Sequence, residues 1–164
     1  MKLSYKKMSI EDYQDIADML LNKKVMKAWE HDFNEKDVHD WIKKQQKRYL
    51  ENELGYKLIT DSKNNLVVGQ AGITLQEVNG NTVYEIGYII KYEFWKKGYA
   101  TKAVLDLLNI AKNKYGLKQV YSLIKYDNLI SQKVVLKNDF IKIGEFKKIY
   151  NEKEMKHFIF KKDL

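Results

Sequence analysis

Gly98 and Ala100 form a small-residue pair between an apolar run at 85–90 and an amphipathic run at 103–112. Two lysines precede the glycine. A strand that turns through small residues into a helix points several main-chain N–H groups, and the positive end of the helix dipole, at one place. Small side chains also let a ligand approach the backbone closely. This stretch therefore predicts a loop that binds a phosphate group.

The elements that would position this loop can be read from hydrophobic periodicity and turn residues. Ser9 with Asp12, and Asn34, are typical helix starts, whereas Asn79-Gly80 is typical of a hairpin turn and Gly116 of a helix end. The sequence predicts a mixed α/β sheet flanked by helices, in the order β-α-α-β-β-β-α-β-α-β-β. The predicted elements are a strand at 2–7, a helix beginning near 9–13, a helix at 35–51, strands at 56–60, 67–78 and 83–90, a helix at 98–115, a strand at 119–125, a helix at 128–138, and strands at 140–146 and 156–162.

The composition describes one soluble globular domain. The chain has 164 residues, of which 45% are hydrophobic and 32% charged, and this length suits a single core. It has no cysteine, which excludes disulfides, thiolate metal sites and a cysteine nucleophile. The first residues lack the apolar core of a signal peptide, and no apolar run reaches membrane-spanning length. We therefore expect a cytoplasmic protein without a membrane partner.

The positive charge is spread along the chain. The formal net charge is +8, yet Arg48 is the single arginine, and the lysines are scattered. Proteins that bind nucleic acids usually concentrate basic and aromatic residues on one face. The scattered lysines therefore argue against a nucleic-acid partner. A nucleic-acid-binding domain, whose affinity would depend steeply on salt concentration, is the alternative.

Two stretches, 83–104 and 126–146, together resemble the GCN5-related N-acetyltransferase (GNAT) superfamily. The resemblance covers nearly the whole chain and implies a single GNAT domain over 1–164, with splayed central strands. The segments 6–29 and 35–45 resemble the branch of bacterial ribosomal-protein N-terminal acetyltransferases. Members of that branch are often dimers, so a homodimer is possible.

The resemblance implies that acetyl-CoA is the cosubstrate. The family loop, Arg/Gln-x-x-Gly-x-Gly/Ala, falls on residues 95–100, with Trp95 in place of the usual first residue. Main-chain N–H groups of about 96–101 would hold the pyrophosphate, and the strand ending at Ile90 would lie along the pantetheine arm. The alternative is an ordinary strand-to-helix turn. The predicted cofactor contacts are Tyr88, Ile89, Ile90, Trp95, Lys96, Lys97, Gly98, Tyr99, Ala100, Thr101, Asn128 and Ser131.

The resemblance also implies two catalytic residues, Glu85 and Ser131. Glu85 would act as a general base, usually through water, or it is a solvent-facing or substrate-pairing charge. Many family members protonate the leaving thiolate with a tyrosine, but Val135 stands at that position here. Ser131 would take over or leave the proton to water, and its alternative is a serine that favours a first helical turn. Asp139 replaces a usual glycine before Phe140, and aspartate tolerates the left-handed backbone better than most residues.

The predicted reaction is direct attack of a primary amine on acetyl-CoA. We expect a protein or peptide N-terminal α-amine, since an α-amine with a pKa of about 8 is neutral roughly a tenth of the time at pH 7 and a lysine amine far less. The alternatives are a small amine (an antibiotic, a polyamine or an amino acid) and a non-catalytic acetyl-CoA-binding module. Trp29 and Phe33, in a region that borders the acceptor site in the resembling branch, are the predicted substrate contacts together with Glu85, although such aromatics are more often core. The three histidines lack metal-ligand spacing, so no metal is expected.

Overall fold

Seven strands and four α-helices follow one another in the order that the sequence predicts. The structure is a computed structural model that describes residues 1–164. None of its helices is both long and apolar enough to pass through a membrane. The elements are β1 (Leu3–Lys7), α1 (Tyr13–Leu20), α2 (Glu35–Asn52), β2 (Gly55–Asp61), β3 (Leu66–Val78), β4 (Asn81–Ile90), α3 (Tyr99–Asn113), β5 (Gln119–Lys125), α4 (Leu129–Lys137), β6 (Ile141–Tyr150) and β7 (Lys153–Asp163).

The strands form one sheet in the order β1-β2-β3-β4-β5-β7-β6. Every neighbouring pair is antiparallel except β4 and β5, which are parallel and share one residue pair, Glu85 with Tyr121. Beyond that pair the two strands diverge toward their carboxyl ends and leave a V-shaped gap. The predicted splay of the central strands is thus confirmed. Helix α3 follows β4 after a short loop, and α4 follows β5, so both helices begin at the open end of the gap. Ligands of α/β sheets commonly bind at this kind of place.

The two faces of the sheet have separate cores, because successive side chains of a strand point to opposite faces. On one face, Ile86 and Ile90 of β4 pack with residues of α3 such as Val104. On the other, Ile89 packs in the cluster that α1 and α2 form around Ile16. β4 therefore packs against helices on both faces of the sheet, and its main chain separates the two cores.

The turn and cap residues behave as predicted. Asn79 and Gly80 join β3 to β4 with φ angles of 49° and 81°, as a tight hairpin requires. The side chain of Asn34 accepts a hydrogen bond from the N–H of Asp37 at 3.0 Å and caps α2. Asp139 adopts the left-handed conformation, with φ of 62°, so the turn after α4 survives without glycine.

The C-terminal hairpin is longer than the sequence predicts. Strands were expected at 140–146 and 156–162, but β6 and β7 extend to a turn at Asn151 and Glu152, which have φ angles of 48° and 64°. The prediction was wrong because the distal ribbon is largely exposed and its turn lacks the glycine that marks most hairpins. This ribbon carries Lys148 and Tyr150, which matter for the site below.

Candidate functional site

Six consecutive main-chain N–H groups, those of residues 96–101, have no hydrogen-bond acceptor within the protein. Three of them belong to the first turn of α3, where no intrahelical acceptor exists, and no side chain caps this helix. The other three belong to the loop that precedes it. Six free donors at the positive end of a helix dipole can bind an anion. They belong to the residues for which the sequence predicts a phosphate loop, and phosphate binding stays a prediction.

Left-handed residues create this loop. Gly98 has φ of 86° and Lys96 has φ of 61°. A Cβ added at Gly98 would meet no protein atom within 4 Å, so glycine is required by the backbone conformation and leaves open space in front of the loop. The sequence shows the glycine, but the second left-handed residue, a lysine, carries no such signal.

The side chains of the loop have different surroundings. Trp95 donates a hydrogen bond from Nε1 to the carbonyl of Ile90 at 2.9 Å and ties the loop to the end of β4. The hydroxyl of the buried Tyr99 donates to Asp61 at 2.7 Å within the core, so Tyr99 presents its main-chain N–H, and not its side chain, to the space in front of the loop. Lys97 lies over the ring of Phe94 at 5.4 Å. Ala100 and Thr101, in the first turn of α3, offer their N–H groups.

The edge of β4 that faces the gap presents the peptide groups of Tyr88 and Ile90, and not that of Ile89. The N–H of Lys91 donates to Val68 of β3 at 2.9 Å, and in an antiparallel ladder residues two apart point the same way. Ile89, which pairs with Gln70, therefore directs its N–H toward β3, and this group does not face the gap. Tyr88 and Ile90 direct their peptide groups to the other side, where the carbonyl of Ile90 already accepts the hydrogen bond from Trp95.

The beginning of α4 forms the opposite wall of the gap. Asn128 caps this helix through Oδ1, which accepts from the N–H of Ser131 at 3.2 Å. The carbonyl of Ser131 accepts a hydrogen bond from the hydroxyl of Tyr88 at 3.0 Å, which links α4 to β4 across the gap. The Ser131 hydroxyl itself has no partner in the protein and is free to contact a ligand. Val135 is fully buried in the core and supplies no proton.

A cavity of about 320 Å³ lies on the α2 side of the gap. It is lined by the loop after α1, by α2, by the facing ends of β4 and β5, and by the long C-terminal hairpin. Gly87 belongs to this lining, and a Cβ there would collide with the hydroxyl of Tyr56. The lining residues are Ala28, Trp29, Trp41, Lys44, Arg48, Tyr56, Gln76, Glu85, Ile86, Gly87, Tyr88, Ser122, Leu123, Ile124, Lys125, Asn128, Ser131, Lys148, Tyr150, Met155 and His157.

Glu85 lies where this cavity reaches the apex of the gap. Its Oε2 accepts a hydrogen bond from the N–H of Leu123 at 2.7 Å. Burial raises the pKa of Glu85 to about 7, against the opposing effects of Lys148, the Leu123 hydrogen bond and Arg48. A carboxyl group with a pKa near neutrality can accept and release protons at physiological pH. Its position and its pKa therefore suit a general base.

The structure brings together most of the predicted site but not all of it. Trp29 lines the cavity, whereas Phe33 lies outside it and packs edge-on against His31 with ring centroids 4.8 Å apart. Phe33 as a substrate contact is therefore a prediction that the geometry does not support. Ile89 and Ile90 are buried in opposite cores, so neither side chain reaches the gap.

Several residues of the cavity were not singled out from the sequence. Trp41 lies in the predicted helix at 35–51 and Tyr150 between the predicted strands at 140–146 and 156–162, and neither was predicted to line a site. His157 is buried, contacts the carbonyl of Met155 through Nδ1 at 3.0 Å, and has a pKa lowered mainly by that burial. No set of three or more histidine or acidic side chains is arranged to hold a metal ion.

Comparison with known proteins agrees with this arrangement. The model of the acetyltransferase (GNAT) domain family matches residues 2–141. The protein YkkB of Bacillus subtilis (strain 168) is 29% identical over 108 residues, which are 63% of this chain and 60% of that protein. The chain thus aligns with less than two thirds of the length of this relative.

Two solved structures share the fold over almost the whole chain. An acetyltransferase (GNAT family) from Bacillus anthracis has a TM-score of 0.82 at 20% identity and covers 99% of this chain and 95% of its own. A ribosomal-protein-S5-alanine acetyltransferase from Vibrio fischeri has a TM-score of 0.77 at 17% identity, with coverages of 99% and 93%. At these identities the likeness shows the fold. Because the family model spans most of the chain, including β4, the loop and both helices at the gap, this protein belongs to the GNAT acetyltransferase domain family.

Proposed function

We propose that this protein transfers the acetyl group of acetyl-CoA to a primary α-amine. The observation that carries the proposal is the run of six unpaired N–H groups at residues 96–101. A pyrophosphate carries the charge and the several acceptor oxygens that such a run of donors can bind. The open space in front of Gly98 leaves room for it.

The gap between β4 and β5 suits the extended arm of the donor. An arm with amide groups can pair with an unpaired strand edge, as peptides do when they add to a sheet. Tyr88 offers a peptide group toward the gap, and the free hydroxyl of Ser131 lies on the opposite wall. In the proposed complex the N–H of Tyr88 or Ile90 polarises the thioester carbonyl, and Ser131 contacts the sulfur.

The acceptor amine enters from the cavity on the α2 side. Glu85 lies between this cavity and the gap, and at pH 7 about half of its carboxyl groups are ionised, given its pKa of about 7. Directly or through a water molecule, it removes the proton of the ammonium group. The neutral nitrogen then attacks the carbonyl carbon, the C–S bond breaks, and the nitrogen loses its second proton to water. The thiolate takes a proton from water, or from Ser131, which water then reprotonates. The chemistry thus needs no covalent enzyme intermediate.

Calorimetric titration with acetyl-CoA, followed by an assay of coenzyme A release, tests the proposal. We expect a 1:1 complex and thiol release that depends on an amine. Since the chain has no cysteine, a thiol reagent reports the product without a background signal. Absence of binding would refute the proposed function. Binding without thiol release for any acceptor would instead favour the non-catalytic acetyl-CoA-binding module.

A further inference from the structure

Three cationic side chains of the cavity lack an acidic partner. Lys44 and Arg48 lie one helical turn apart on α2, and Lys148 lies on β6; all three line the cavity. Their neighbours in the chain do form ion pairs: Lys36 and Lys47 of α2 pair with Asp40 and Glu51, and Lys147 of β6 pairs with Glu154. Lys43, the exposed neighbour of Lys44, forms no ion pair either, so what distinguishes Lys44, Arg48 and Lys148 is that they line the same cavity.

These three cations repel one another. Partial burial lowers the pKa of Lys44, and the charges of Arg48 and Lys148 lower it further. The guanidinium of Arg48 contacts the neutral Oε1 of Gln45 at 3.2 Å and no carboxylate. Gathering like charges at a partly desolvated wall costs free energy, and an anion that joins the three side chains would reduce this cost.

Glu85 supplies only part of the balancing charge. It is the only carboxylate in the lining and attracts Arg48 and Lys148, but it forms an ion pair with none of the three cations and accepts a hydrogen bond from Leu123. Lys125 is satisfied from outside the lining by Glu30 and Asp127, at 3.4 and 3.5 Å. The wall formed by Lys44, Arg48 and Lys148, which we call the cationic wall, therefore retains an excess of positive charge.

The β6–β7 hairpin also covers part of the cavity, and we call this cover its roof. The tip of the β6–β7 hairpin meets the loop after α1, where Lys153 donates to the carbonyl of Glu30 at 3.2 Å. The rings of Tyr150 and His31 lie 6.1 Å apart at the same junction. The partly covered cavity, with a volume of about 320 Å³, has room for a small molecule.

We propose that the acceptor is a small amine that also carries an anionic group, such as a carboxylate or a phosphonate, bound by the cationic wall. This inference rests on the proposed function and narrows its acceptor. The anion contacts Lys44, Arg48 and Lys148, while the amine points toward Glu85. Polyamines and aminoglycosides bring several positive charges and are repelled from this cavity.

Direct binding of anions tests the wall without any catalysis. Glutamate and inorganic phosphate serve as probes, and calorimetry or the fluorescence of the tryptophans that line the cavity reports binding. We expect Arg48→Gln and Lys148→Gln each to lower the affinity at least about tenfold. Lys43→Gln is the matched control, because Lys43 is an exposed residue of the same helix and does not line the cavity. Equal losses in the control, or no saturable binding to the wild type, would overturn the inference.

Acceptor pairs of equal size test the same wall in turnover. Each of the twenty amino acids is compared with its amide, aminoalkylphosphonates with aminoalcohols, and spermidine is included. The anionic member of the best pair should have a kcat/KM at least about tenfold higher, and Lys148→Gln should abolish this preference through KM. A preference for spermidine or for the neutral members would refute the anionic acceptor while leaving acetyl transfer intact. Failure of acetyl-CoA to bind, with anion binding retained, would refute the proposed function instead.

Discussion

The donor half and the acceptor half of the site are built in different ways. The phosphate loop consists of six consecutive residues, and its donors are main-chain N–H groups whose directions follow from two left-handed residues and a helix start. The acceptor cavity consists of side chains from segments as far apart as Trp29 and His157. A main-chain site tolerates changes of most side chains, whereas a side-chain site changes with each of them. The donor half can therefore stay constant within a family while the acceptor half varies.

Substitution of Gly98 should produce the largest effect, a loss of acetyl-CoA binding by the donor half. In Gly98→Val a β-branched side chain must adopt a left-handed backbone, which costs roughly 1–2 kcal/mol, and it fills the space in front of the loop. We expect acetyl-CoA affinity to fall by about 1,000-fold, or about 4 kcal/mol. Calorimetry measures the affinity, and thermal unfolding measures the stability.

Gly80→Val is the control for this substitution. Gly80 has a φ of 81° and, like Gly98, open space around it, but it lies in the hairpin turn before β4. The strain should be similar and acetyl-CoA binding unchanged. If both variants lost affinity equally, the effect would come from stability and the donor half would be wrongly placed.

The Glu85→Gln substitution should separate binding from chemistry. The variant should bind acetyl-CoA normally but lose about 100-fold in kcat/KM at pH 7, a typical contribution of a general base. Since the pKa of Glu85 is about 7, the wild-type kcat/KM should rise with pH up to about 7 and then level off, apart from ionisation of the acceptor. A variant with the same pH–rate profile as the wild type would remove Glu85 from the role of base.

The raised pKa of Glu85 should also make the free energy of unfolding depend on pH. Its pKa is about 7 in the folded protein and 4.5 ordinarily, so the folded state binds more protons than the unfolded state between these values. The stability that Glu85 contributes is thus present below pH 4.5 and is lost as the pH rises through 7. At pH 8 the free energy of unfolding of Glu85→Gln should exceed that of the wild type by up to about 3 kcal/mol, at about 1.4 kcal/mol per pKa unit. Equal pH dependence in urea unfolding of both proteins would contradict the raised pKa.

Truncation of the hairpin should affect the acceptor half alone. Tyr150→Ala opens the roof of the cavity at its junction with His31. We expect KM for the acceptor to rise about tenfold, which corresponds to about 1.4 kcal/mol, with an unchanged affinity for acetyl-CoA. Tyr150→Phe keeps the ring and should be close to the wild type. A change in acetyl-CoA affinity would show that the two halves are not independent.

Removal of the Ser131 hydroxyl should produce the smallest effect. The hydroxyl has no partner within the protein, and the helix keeps the cap from Asn128. If water protonates the thiolate, Ser131→Ala should lower kcat by about threefold, as expected for the loss of one hydrogen bond of about 0.5–1.5 kcal/mol. Single-turnover kinetics measure this step. A loss of 100-fold or more would assign the proton to Ser131 itself.

The sequence predicted the donor half better than the acceptor half for a physical reason. Gly98 and the helix after it report a local backbone conformation, and nearby residues determine that conformation. The element order followed from the same local signals, whereas the splay of β4 from β5 was implied by the family resemblance. The shape of the cavity depends on the length of the β6–β7 hairpin. The turn of this hairpin at Asn151 contains no glycine that would indicate it in the sequence. Lys148 and Tyr150 could therefore not be placed. Phe33, assigned together with Trp29 from the family resemblance, does not line the cavity.

The single pair that joins β4 to β5 has a mechanical consequence. Glu85 and Tyr121 form the vertex of a wedge, and when two arms open about a vertex their tips travel far while the vertex hardly moves. The gap is therefore widest away from Glu85, and a ligand that enters it does not have to separate the strand pair at this carboxylate.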